Sequence, residues 1–390
     1  MKQAQLRPLA NWADADAQTL LKQIADAGVV GLGGGGFPTA EKLRSALAWH
    51  QSHAAQEVLL IGNGVACEPG IDADPFILAE AALEVLLGLR IAAHILNVRE
   101  PVLALGPRLQ HRQAELEKLW QSLNEDLPQT LALRIHCSAG TAAAGAERLL
   151  IEAVGGQAVA AEQPPAAQGV VVQNVVTLWA IARAICDGEA LGRRPVTVGQ
   201  QTRWLEFGAP LPTPQATAGA HIVNGGLWSG TTAQSATCVD AQTLAVHAKP
   251  GIAAVPCIGC GYCLPVCPVH LDPEHLHRCL QALANEQPSL VEAQDAQGPL
   301  AALRSAALTD CVECGACNVS CPSHIDLLGE FRAGKSTLAR AESVVRTAQR
   351  ASERFARHQR RLAERDAQAT ERRAQRLKRT RSWGNESSTQ

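Results

Sequence analysis

The sequence predicts an α/β fold with a mostly parallel sheet, followed by a small β unit, an α-helical cysteine-rich segment and a helical basic tail. Three observations carry that prediction. Apolar strand-like runs alternate with amphipathic helical runs between Val58 and Gly188. A cysteine motif occurs twice between Cys257 and Pro322. The charge divides unevenly: Arg332 to Arg381 holds sixteen Lys/Arg against five Asp/Glu, +11 within a net −2, so the rest is −13. An acidic body with a basic tail is an organised division rather than a uniform surface.

Each element follows in order. Asp14–Ala27 places Leu20, Leu21 and Ile24 at helical spacing and stops at Gly28. The run Gly31-Leu-Gly33-Gly34-Gly35-Gly36-Phe37-Pro38-Thr39 comes next, and Thr39 is placed to cap a helix over Ala40–Trp49. Bare glycine backbone beside a helix N-terminus can present N–H groups to a phosphate. Gly31, Gly33 and Gly36 also spell G-x-G-x-x-G, but after a helix end rather than a clear strand, so a plain flexible loop stays open as the alternative. Strands are then expected at Val58–Ile61, Val102–Leu105, Leu131–Ile135 and Val170–Gln173. Helices are expected at Phe76–Leu96, Arg108–Leu123, Gly145–Val154 and Val175–Cys186, the last closed by Gly188. Such alternation gives a parallel sheet covered on both faces, with ligands beyond the strand carboxyl ends. Asn63, Glu68, Asn174 and Thr177 fall at those ends.

Arg194–His247 changes to short extended pieces, Val196–Val198, Trp204–Phe207 and His221–Val223, split by turns such as Asn224-Gly225-Gly226. Four parts result: 1–190, 194–247, 250–330 and 331–390. In the tail Ala341, Ala348, Phe355 and Leu362 recur every seven residues, a thin stripe that suits a solvated or partner-bound helix; beyond Trp383 disorder is expected.

The chemistry concentrates in Cys257, Cys260, Cys263 and Cys267, then Cys311, Cys314, Cys317 and Cys321. Both sets read C-x2-C-x2-C-x3-C-P. That is the spacing of two-cluster ferredoxins, in which the fourth Cys of each run serves the other cluster. One [4Fe–4S] cluster is thereby assigned to Cys257, Cys260, Cys263 and Cys321, and the second to Cys311, Cys314, Cys317 and Cys267. Zinc, the other reading of paired C-x2-C units, needs only four ligands and gains nothing from the third step and the closing C-P. His270 and His324 each stand two residues past a cluster proline. The five other cysteines, Cys67, Cys137, Cys186, Cys238 and Cys279, are odd in number and scattered, which speaks against a disulfide framework and for a reducing compartment. The segment from Met1 to Asn11 has no signal-peptide core, and Ala81–Leu96 is interrupted by Glu84, Arg90 and His94, so a soluble or peripherally held protein is expected. Gly329–Ser336 matches G-x-x-x-x-G-K-[ST], but no buried strand precedes it, so nucleotide binding there is rejected.

The glycine run, Asn63-Gly64 with Cys67-Glu68-Pro69, Val170–Asn174, the two ferredoxin motifs and the basic tail, in that order, resemble the C subunit of the Rnf ion-translocating electron transport complex. The α/β part is also similar to the flavin-carrying, NADH-oxidising subunit of respiratory complex I, and the β unit to their shared β-grasp module. The resemblance implies FMN on Gly33, Gly34, Gly35, Gly36 and Phe37, with Lys42 on the flavin phosphate. It implies flavin or ribityl contacts from Asn63, Asn174 and Thr177. Glu68 and Glu147 fall on acidic positions of a nucleotide site for NAD(H). It further implies a short form lacking an N-terminal β domain, peripheral at the cytoplasmic side of the bacterial inner membrane. The implied partners are other subunits of the complex and ferredoxin. The tail suits anionic lipid, and no nucleic-acid fold accompanies it. Val65, Ala66 and Ala142 depart from the polar residues of relatives. Two alternatives follow: a non-catalytic iron–sulfur conduit, or a flavin–iron–sulfur cobalamin reductase.

Overall fold

The structure is a computed structural model describing residues 8–66, 69–140, 143–155, 163–214, 220–233, 237–250, 252–286 and 298–386. The chain divides into two compact units. One runs to Glu274 and takes in Thr309–Gly329; the other is His275–Leu308 with Glu330 onward.

Four parallel strands organise the first unit: β1 (Leu59–Gly64), β2 (Val102–Leu105), β3 (Arg134–Cys137) and β4 (Val170–Asn174), in the order β3-β2-β1-β4. Their side chains alternate between two cores, as the pleat requires. Leu60, Leu103, Leu105 and Val171 join one face, with helices α1 (Ala17–Asp26), α2 (Thr39–Ser52), α3 (Ala73–Glu80), α4 (Ala82–Leu96), α5 (Gln113–Glu125) and α7 (Val175–Ala182). Ile61, Val102, Ala104 and Val172 join the other, with Leu150, Ile151 and Val154 of α6 (Glu147–Gly155). The mostly parallel sheet covered on both faces is the predicted one. Its tightest point is Gly88 of α4, where a Cβ would stand 1.8 Å from the Leu178 carbonyl oxygen of α7. No other residue lets those backbones meet.

Several boundaries differ from expectation. The single helix predicted over Phe76–Leu96 is two, parted at Ala81 (φ −145°, ψ 44°). The helix predicted from Arg108 opens with a 3-10 turn, Gln110–Arg112. The one predicted to Cys186 passes at Arg183 into a π turn before Gly188 closes it. Thr39 is not a cap: Pro38 holds that position, and the buried Thr39 hydroxyl finds no partner among the described residues. Proline fits there because its missing N–H is an orphan donor anyway.

Five more strands form a mixed sheet: β5 (Arg193–Val198), β6 (Gln201–Glu206), β7 (Ala220–Asn224), β8 (Thr231–Thr232) and β9 (Ala245–Pro250), ordered β6-β5-β9-β7-β8. β5 and β9 run parallel and the other pairs antiparallel. In the second unit, the helix Pro299–Ser305 adds buried Leu300 and Leu303, beside buried Leu276, Leu280, Leu308, Phe331 and Leu338. At Gly334 a Cβ would meet Leu280 at 2.5 Å and Leu308 at 2.8 Å. His277 is buried and holds Glu330 at 2.6 Å. Helix Leu327–Glu386 absorbs the whole Gly329–Ser336 match, so those residues form no phosphate loop; of the stretch expected to be disordered, residues 387–390 lie outside the described residues. No helix among the described residues is long and apolar enough to cross a membrane.

Candidate functional site

A cavity of about 440 Å³ opens where β1 and β4 end, the point at which strand order reverses. Open α/β sheets bind ligands there. Its walls come from the glycine run, Asn63, Asp74, Glu147, Gln173, Asn174, Thr177 and Arg194.

The glycine run is a closed loop, not a strand-to-helix turn. Gly31 N–H donates to Phe37 O (2.8 Å), Gly36 N–H to Gly31 O (3.0 Å), and Val30 bridges Pro38. Gly33, Gly35 and Phe37 line the cavity; Gly34 and Gly36 do not. Those two shape the loop: Gly36 has φ 61°, and a Cβ on it would meet Gln242 at 2.9 Å. The left-handed backbone favours glycine there, while the Gln242 amide is the movable end of a flexible side chain. Thr177 anchors the loop, its hydroxyl accepting from Leu32 N–H at 2.8 Å. Arg194, wholly buried, donates to Leu32 O at 2.7 Å and also to Ala241 O.

The other predicted residues gather as follows. Lys42 Nζ donates to Glu147 Oε1 (2.6 Å) and to Val172 O (2.8 Å), so the lysine expected at a phosphate and the acid expected at a nucleotide site form one pair on the wall. Asn63 Nδ2 donates to Gly145 O at 2.9 Å while its Oδ1 accepts from Val65 N–H. Asn174 caps α7, accepting from Val176 N–H at 2.9 Å, and donates to Asp74 Oδ1 at 2.8 Å. Glu68 lies outside the described residues, as do Cys67 and Ala142. Val65 lines the cavity.

Three residues here escaped sequence reasoning. Asp74 is buried, and that burial pushes its carboxyl up to about 6 against the Asn174 hydrogen bond and the Arg194 charge. Arg194 is pulled down to about 10 by burial, with Asp74 and Asp240 opposing. Gln173 carries a buried Nε2 donor with no partner among the described residues, on the cavity wall. A buried unmatched donor calls for an acceptor, and flavin carbonyls and ring nitrogens are acceptors. With a cation at Lys42 and bare backbone at Gly33 and Gly35, these residues fit FMN.

The two cysteine loops repeat in three dimensions. The residue before the second Cys is left-handed in each, Gly259 (φ 65°) and Glu313 (φ 57°), and so is the residue after it, Gly261 (φ 71°) and Gly315 (φ 75°). The residues after each cluster proline match as well: His270 (φ 55°) and His324 (φ 52°) close turns on Cys267 O and Cys321 O. Gly315 needs its glycine twice over, since a Cβ would meet Trp228 O at 2.6 Å. Burial pushes the Cys317 thiol up to about 12, and neighbouring Cys311, Cys314 and Cys267 add to the rise. Cys267 thus lies near enough to Cys317 for their charges to interact. Burial also raises Cys263, with Glu274, Cys260 and Asp272 contributing. Ser323 bonds to Pro256 O (3.1 Å) and Val255 N–H to Ser323 O (3.0 Å), setting the Cys321 turn beside the Cys257 loop. Among the described residues no three His, Cys, Asp or Glu side chains converge as a site for a single metal ion. Half-buried thiols ionise more readily beside positive charge, which cluster iron would supply. The twelve described cysteines are all free of disulfides.

The second loop and the cavity meet. Val312, Glu313 and Cys314 form part of the same wall as the glycine run.

Comparison with known proteins agrees. Residues 24–183 match the Nuo51 FMN-binding domain, and residues 253–325 the 4Fe-4S dicluster domain. The C subunit of the ion-translocating oxidoreductase complex of Pasteurella multocida is 31% identical over 90% of this chain and 41% of its own length. Its namesake in Pseudomonas aeruginosa is 32% identical over 92% and 45%. That of Vibrio cholerae is 32% identical over 70% and 36%. The chain therefore spans about two-fifths of the length of these curated relatives. An NAD+-reducing [NiFe]-hydrogenase shares the fold, with TM-score 0.55 and 21% identity over 85% of this chain and 64% of its own. The chain is a homologue of the C subunits of ion-translocating oxidoreductase complexes, built on an FMN-binding Nuo51 domain and a domain for two [4Fe–4S] clusters.

Proposed function

We propose that this chain is a peripheral electron-transfer subunit of a membrane-bound, ion-translocating oxidoreductase, passing electrons between NAD(H), FMN and two clusters and onward to partner subunits. One observation carries the reading: the loop of Cys314 is a wall of the cavity lined by Gly33, Gly35 and Phe37. A bound flavin takes electrons in pairs from a hydride donor and releases them singly, which suits it to stand between a nicotinamide and a cluster.

The residues take these parts. Gly33, Gly34, Gly35 and Gly36 form and shape the cradle, and Phe37 closes its edge. Lys42 faces the phosphate. Gln173 donates to the ring, while Asn63, Asn174 and Thr177 hold the surrounding backbone. Glu147 positions Lys42, and Glu68 with Glu147 stands at the nucleotide side. Cys257, Cys260, Cys263 and Cys321 hold one cluster; Cys311, Cys314, Cys317 and Cys267 hold the one beside the flavin. The four parts, 1–190 for FMN and NAD(H), 194–247 as the β-grasp-like unit, 250–330 for the clusters and 331–390 as the tail, divide these tasks. The parallel pairing of β5 with β9 supports the β-grasp reading. The basic tail meets anionic lipid at the cytoplasmic face of the inner membrane, and the clusters serve membrane subunits or ferredoxin.

The test is reconstitution with FMN, iron and sulfide, followed by anaerobic NADH. Prompt bleaching of both the flavin and the cluster absorption is expected; stable spectra after NADH would overturn the proposal.

A further inference from the structure

A second cavity, of about 600 Å³, lies at the opposite edge of the parallel sheet, where Arg99 precedes β2 and Leu131 precedes β3. Its ionisable lining is Arg90, His94 and Arg99, with no carboxylate. Arg90 comes from α4, is 3% exposed, and its Nη1 has no hydrogen-bond partner among the described residues. The Trp120 ring lies 5.7 Å from the guanidinium carbon, which covers a face of the cation. A ring face does not satisfy N–H donors pointing in the guanidinium plane. A buried cation without an acceptor is costly, and a native site that keeps one calls for an anion.

The walls are held in advance. Trp120 Nε1 donates to Leu131 O at 2.7 Å, and Asn124 bonds Leu131 at both O and N–H. Opposite, His94 Nε2 pairs with Ala15 O at 3.1 Å and meets Trp12 edge-on. At the rim Arg99 is exposed and only loosely engaged, with Glu57 4.0 Å away. The recess is therefore prebuilt, positively charged and partly apolar through Trp12, Val98 and Leu127.

We propose that this recess binds a small molecule through an oxyanion group, phosphate or carboxylate, with Arg90 as the buried anchor and Arg99 at the rim. A guanidinium fork matches either group with paired hydrogen bonds. The site is separate from the flavin cavity, which lies at the strands' other ends.

The experiment is calorimetric titration of the full, cofactor-loaded chain with inorganic phosphate and, separately, with succinate, ionic strength being fixed with chloride. Saturable binding of one probe is expected, phosphate assigning a phosphoryl ligand and succinate a carboxylate. Arg90→Met should weaken it at least tenfold and leave the thermal midpoint of the probe-free protein unchanged or higher, because an unpaired buried charge has been removed. Arg99→Gln, at an exposed position, should weaken binding two- to threefold without touching the fold. Failure of both probes to saturate, equal affinity in Arg90→Met, or a fall of several degrees in its midpoint would each overturn the proposal.

Discussion

Asp74 pays for its place beside the cavity. Its folded carboxyl is raised by burial from 3.8 to about 6. Well below pH 4 the group is protonated whether the chain is folded or not, and it has no effect. As pH climbs, the unfolded chain ionises first, so stability is lost between about pH 4 and 6 and stays lost above. Asp74→Asn keeps an acceptor for Asn174 and removes this dependence. Melting the two proteins in parallel from pH 4 to 7 should show the variant gaining on the parent until about pH 6 and then holding a constant lead. A lead that shrinks as pH rises would contradict the assignment. Arg194 shows why such residues hide in a sequence: its acceptor, Leu32 O, is 162 positions away.

At the level of elements, α2 and α6 meet through Lys42 and Glu147, which are 105 positions apart. The pair puts a cation on the wall of the proposed flavin site. A hydrogen bond to a charged group contributes about 1.5–3 kcal/mol, or roughly ten- to hundredfold in affinity. Lys42→Ala should weaken FMN binding by that factor while riboflavin, which has no phosphate, binds as before. Fluorescence titration with both ligands decides it, and equal losses would deny Lys42 a phosphate role. The elements themselves were largely legible. Buried Val, Leu and Ile runs marked β1, β2 and β4, whereas the run expected over Leu131–Ile135 only overlaps β3, whose residues are exposed or half-buried, and local cysteine spacing marked both loops. What was not legible was set by distant contact. Glu80-Ala81-Ala82 contains no Gly or Pro, yet the helix breaks there. Thr39 looks like a cap, yet Pro38 takes the position. Glu313 adopts the left-handed conformation that its counterpart Gly259 adopts without cost.

For the molecule as a whole, the net positive charge is concentrated on one long helix. The 60 residues of Leu327–Glu386 extend about 90 Å. Ala341 is buried, but Phe355 is 64% and Leu362 41% exposed, so the heptad stripe loses its cover part-way along. With +11 between Arg332 and Arg381, and about 1 kcal/mol for each basic residue near an anionic surface, this helix suits a charged bilayer. Removing residues 347–390 should abolish co-sedimentation with phosphatidylserine vesicles at low salt and leave flavin content intact. Unchanged co-sedimentation would assign the helix to a protein partner.

The shared wall at Cys314 has a further meaning for damage and repair. If that sulfur holds iron, oxygen attack at this single corner would strip an electron carrier and also slacken the rim of the neighbouring cup. The two prosthetic groups would then have to be installed, and would be forfeited, as a set.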